Sequence, residues 1–222
     1  MATLSELADA VAAVEGIDPA TVALIARYIR EAGLISTGGR GPSAATMTLT
    51  DAANLLIGVN ATTTAAEAAR IVPTYRELEA HHVWLPADPA DPADGSLIKY
   101  GTLGEAIEQL IYATTVGRLP KMFLNQEMPY VLQEAFDEQN ARVALTFSKS
   151  EASASAVITP TEFDDQTQTV VVSEGLTRII LTFLPPKVRG PPRKKKNRTP
   201  DRIETTTIGY RTLSAVGKLF QP

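Results

Sequence analysis

Five cations in six positions, Arg193, Lys194, Lys195, Lys196 and Arg198, form the densest chemical signal in the chain. Such a run reads phosphates through charge and carries no base code, so it implies a polyanion-contacting arm. The same short pattern matches nuclear localisation signals, but the alanine-rich, cysteine-free composition points to a bacterial or phage protein. His81 and His82 are the only histidines. On the helix expected there they would point about 100 degrees apart, and Glu77 one turn earlier leaves the set without a third ligand. Glu134, Asp137 and Glu138 read as a solvated helix face, and Asp164 with Asp165 as a strand connection. None of these acids has a visible partner for proton transfer. No phosphate loop, nucleophile elbow or dinucleotide fingerprint occurs. The expectation is a protein without catalytic residues, metal or cofactor.

The elements that must carry these side chains are legible from caps and periodicity. Thr3 with Glu6 forms a capping pair ahead of Leu4, Leu7, Ala8, Val11 and Val14, and Gly16 ends that helix. Asp18 and Pro19 open a second helix with Val22, Ile25 and Ile29 inward and Gly33 as the stop. Leu34 to Thr37 is expected as a strand, Gly38 to Gly41 as a reversal and Ser43 towards Met47 as the return arm. Thr50 and Asp51 signal a third helix and Ala65 to Val72 a fourth, which Pro73 should break or kink. The threefold Pro-Ala-Asp repeat at residues 86–99 reads as a stiff acidic linker closing a first domain at Leu85.

Beyond it, Leu103, Ile107, Leu110 and Ile111 share one helical face, and PYVLQEAFDEQN reads as another helix. The period then shortens to two from Val143 onward, which predicts an antiparallel sheet of about four strands covered by those two helices. Residues 100–186 are thus an α+β domain, and the whole chain is of the α+β class. Residues 187–222 are expected to be a basic arm ending in an amphipathic helix with Leu213, Val216, Leu219 and Phe220 on its stripe. That helix could close its own domain or bind a protein partner.

Charge divides along the chain. Residues 1–186 hold 11 of the 21 Lys and Arg against 23 of the 25 Asp and Glu, and residues 187–222 hold 10 against 2. The body is therefore at −12 and the tail at +8, which suits an arm on a polyanion or an acidic body on a basic partner. The absence of cysteine excludes disulfides and thiolate sites. With no apolar run of spanning length and no leader-like start, the expected setting is cytoplasmic, with no membrane.

LSELA, the spacing to GIDPATVALIARYIREAGLI and the following GGRG resemble the winged helix-turn-helix regulators of bacteria and phages, over residues 3 to 50. The resemblance implies a 1–85 domain that places its second helix in the major groove of double-stranded DNA. It implies that Ala20, Thr21 and Leu24 face base edges, Arg27 and Arg30 the backbone or a guanine, and Arg40 the minor groove or a phosphate. Thr21 suits a thymine methyl. A regulator of this kind acts as a homo-oligomer, since two copies double a small set of cationic contacts. Two other assignments fit the layout. Phage small terminase subunits share the order of an N-terminal helix-turn-helix, a middle oligomerising region and a C-terminal tail. An acidic protein-interaction or inhibitor module accounts for the −12 body.

Overall fold

The computed structural model describes residues 2–38, 45–84, 99–116, 141–150, 152–160, 162–164, 169–171, 179–186 and 204–221. Two capped helices open the chain, α1 (Leu4–Glu15) and α2 (Pro19–Glu31). Thr3 accepts from the Glu6 backbone while the Glu6 carboxylate accepts from Thr3 N at 2.7 Å, closing the capping box. These bonds hold the Glu6 carboxyl below its ordinary pKa. Gly16, at φ 68°, ends α1 in the left-handed conformation that glycine adopts without a Cβ penalty. Asp18 then caps α2 through Thr21 N.

Helix α3 (Leu49–Ala61) is the hub. Thr48 is its cap and Asp51 completes the box, so the start signal lies two residues before the expected Thr50. Every residue from 51 to 61 is buried, as an all-round apolar helix must be when other elements surround it. It contacts α1, α2, α4 (Ala68–Arg76), α5 (Leu103–Val116) and the sheet. A Cβ on Gly58 would come within 2.4 Å of Ile29, which shows how closely α2 crosses it. A single 3-10 turn at Ala65–Glu67 leads into α4, and α4 continues through exposed Pro73 to Arg76. Pro73 thus neither breaks the helix nor ends it.

Six strands form one antiparallel sheet in the order β2-β1-β7-β4-β3-β8. They are β1 (Glu79–Trp84), β2 (Lys99–Thr102), β3 (Ala141–Ser148), β4 (Ser153–Pro160), β7 (Ile179–Leu184) and β8 (Thr205–Gly209). A separate ladder pairs β5 (Glu162–Asp164) with β6 (Thr169–Val171). Val143, Leu145 and Phe147 alternate inward on β3, opposite Ile158, Ala156 and Ala154 of β4. Their side chains meet the helical layer, as period-two burial requires. The α+β class expected from sequence is what the chain adopts.

Several expectations are corrected. His81 and His82 lie on β1, not on a helix, so the spacing argument that linked His81 to Glu77 has no structural basis. The sheet also extends beyond residues 100–186, recruiting β1 and β8 from either side. The Pro-Ala-Asp repeat connects β1 to β2, which are hydrogen-bonded neighbours, and side chains from Leu7 to Val216 share one hydrophobic core. Residues 86–99 therefore do not separate two cores, because α3 packs on α5 as well as on α2. The C-terminal amphipathic segment begins as strand β8 and only then becomes helix α6 (Tyr210–Gly217). Leu213 and Val216 are buried, and α6 packs on α5 and α1 of its own chain, which takes its apolar stripe away from an external partner. The helix expected at PYVLQEAFDEQN lies outside the described residues.

Candidate nucleic-acid interface

Helix α2 turns Val22, Ile25, Ala26 and Ile29 into the core because those positions recur every three or four residues. The same periodicity leaves Ala20, Thr21, Leu24, Arg27 and Arg30 exposed. All five candidate contacts on this helix are thus on its solvent side. Thr21 donates its hydroxyl to Asp18 Oδ2 at 3.2 Å, so the hydroxyl belongs to the helix cap and the methyl is left for apolar contact. Arg27 Nε donates to Glu31 Oε1 at 2.6 Å, with the two side chains 64% and 51% exposed. The hydrogen bond and charge of Glu31 raise the Arg27 pKa, and they also offset part of its field towards a polyanion. An exposed pair of this kind opens at little cost.

Arg30 lines a depression of about 210 Å³ with Ser36, Thr37 and Gly38 on one arm of the following loop and Ala45 and Met47 on the other. Both described arms, residues 36–38 and 45–47, therefore lie beside Arg30. Arg40 itself lies outside the described residues, as do Arg193, Lys194, Lys195, Lys196 and Arg198. The expected strand at Leu34 to Thr37 is absent, and both arms are irregular where described. Several of their polar backbone groups are satisfied elsewhere. Ser36 N donates to Asp51 Oδ1 at 2.8 Å, Thr48 N to Asp51 Oδ2 at 2.8 Å, and Met47 N to the Ala2 carbonyl at 2.9 Å. Asn54 Nδ2 donates to the Leu34 carbonyl. With those groups taken, no ladder between the arms is needed to hold the base of the loop.

The pinning extends inward. Arg76 donates to Asn54 Oδ1 at 2.9 Å and to Glu108 at 2.7 Å, tying the loop base through α3 to α4 and α5. Its guanidinium lies against Gly104, where a Cβ would come within 2.9 Å of it. Asn54 and Arg76 are residues that sequence reading missed, and Asp51 signals only a helix start in the sequence. Asn54, a polar residue inside an apolar helical run, was the available signal, since buried polar groups must find partners.

Among the described residues there is no group of His, Cys, Asp and Glu able to hold a metal ion, and no helix long and apolar enough to cross a membrane. No family model matches the chain, and no curated protein or solved structure matches it.

Proposed function

We propose that the chain binds double-stranded DNA, with the outward flank of α2 in the major groove and the 37–46 loop on the neighbouring backbone, and that it serves a bacterium or phage as a non-enzymatic regulator. The observation that carries this reading is the joint exposure of Ala20, Thr21, Leu24, Arg27 and Arg30 on one helix beside a loop base fixed by Asp51 and Asn54. Small and methyl-bearing side chains suit close approach to base edges, and the arginines suit guanine or phosphate. The basic run from Arg193 to Arg198 adds sequence-independent affinity. Two copies related by a two-fold would present two such helices to a palindromic site in the cytoplasm. Selection of bound duplexes from a random pool tests it: enrichment of a motif that Arg30→Ala blurs is the expected result, and no enrichment at low salt is the opposing one.

A second reading is favoured by the same helix. Leu24 and Tyr28, 45% and 36% exposed and one turn apart, flank the internally neutralised Arg27. That combination suits docking of a protein on α2. A complex with a protein partner that survives nuclease treatment and is lost in Leu24→Ser would select this reading.

A further inference from the structure

Far down α1 from its cap, a groove of about 750 Å³ opens where the end of α1, the end of α3 and the start of α6 meet edge strand β8. Its size suits a small organic ligand. Val14, Ile17, Val143 and Ile208 give it apolar walls, and Glu15 and Asn60 give it its polar end. Asn60 is fully buried. Its Nδ2 donates to both Glu15 oxygens at 3.2 Å and to the Leu56 carbonyl at 3.1 Å, while its Oδ1 has no hydrogen-bond partner.

The charge is also unmatched. Glu15 takes part in no ion pair among the described residues, and Arg211, exposed at the rim of the same groove, makes none with it. Burial raises the Glu15 carboxyl above its ordinary pKa against the opposing hydrogen bond from Asn60. Rotating the Asn60 amide would not help, because it would set Oδ1 against the carboxylate. The groove thus holds a carboxylate without a cationic partner, beside the buried Asn60 whose amide oxygen is orphaned, ahead of aliphatic walls. An anion is excluded by Glu15, and a polycation is disfavoured by Arg211.

We propose that this groove binds a small aliphatic monoamine as its ammonium ion, with the nitrogen on Glu15 and the alkyl chain against Val14, Ile17, Val143 and Ile208. Charge-assisted hydrogen bonding supplies the recognition and apolar burial the remainder.

The probe is n-butylammonium, titrated into the full-length chain and followed by backbone amide shifts, with butanol and butyrate as isosteric controls. Saturable shifts at Glu15, Thr207 and Gly209, with a dissociation constant on the order of 1 mM, are expected from so few atoms. Butanol and butyrate should bind about tenfold or more weakly. Glu15→Gln keeps one oxygen acceptor for Asn60 Nδ2, exchanges the other for an amide NH2 and removes the charge, so it should fold and lose the amine response. Circular dichroism checks its fold, and Glu15→Asp, which withdraws the carboxylate by one methylene, should weaken binding severalfold. Equal shifts with butanol, an unchanged response in Glu15→Gln, or no saturable shift with the amine would each overturn the proposal.

Discussion

Asn54 shows how one side chain can set the geometry of a surface. Its amide bonds the Leu34 carbonyl at the loop base and accepts from Arg76, which in turn holds Glu108. Asn54→Ala leaves a carbonyl and a guanidinium N–H without partners. A loss of about 1–3 kcal/mol in stability is expected, measured by urea unfolding. Faster amide exchange at residues 34–38 should accompany it. Glu15 gives a prediction of the opposite sign. Its folded-state pKa is raised by burial, so the folded chain holds this proton more tightly than the unfolded chain does. Stability from this group is therefore present below the ordinary value of 4.5 and is lost as pH rises towards the folded value. Glu15→Gln should match the parent in acid and exceed it at neutral pH, in urea midpoints taken across that range. These roles escaped sequence reading because a carboxylate at a helix end and an asparagine in an apolar run acquire meaning only from what packs against them.

At the scale of elements, local chemistry was readable and long-range assembly was not. Thr3, Gly16, Asp18 and Gly33 mark α1 and α2 by capping and by left-handed backbone, which depend on neighbours in sequence. The α2 stripe likewise follows from periodicity, which is why its exposed flank could be named residue by residue. The strand at His81 and His82 could not, since TYRELEAHHV suits a helix and it is pairing with β7 and β2 that draws its end into the sheet. The irregular loop arms follow the same rule, with Asp51 and Asn54 taking the bonds a hairpin would have made. Helix α3 depends most on its cap, because Thr48 and Asp51 satisfy both its first turn and the return arm. Thr48→Ala should cost about 1 kcal/mol, read from the thermal midpoint. Gly58→Val should cost more, about 1–3 kcal/mol, because the α2–α3 crossing has no room for a side chain.

For the whole molecule, one core joins helices from the first third of the chain to strands and a helix from the last. Charge and proline content mark the Pro-Ala-Asp repeat as a boundary, yet the strands before and after it, β1 and β2, pair side by side. Composition reports what a segment avoids, while the core is decided by which faces find each other. Thermal unfolding should accordingly be a single transition by near- and far-ultraviolet circular dichroism. A chain ending before Glu204 should lose that transition, because β8 and α6 bury Ile208, Leu213 and Val216 against α1, α5 and β3. The central claim remains that the outward flank of α2 enters a duplex, and it is tested most directly by salt-dependent fluorescence anisotropy on a selected duplex with the parent chain and with the paired substitution Arg27→Ala and Arg30→Ala. Tight binding by the parent, with a log–log salt slope that drops by about 1 for each arginine removed and a loss of site preference, is the predicted result. Binding by the substituted chain that matches the parent in slope, affinity and site preference would contradict it.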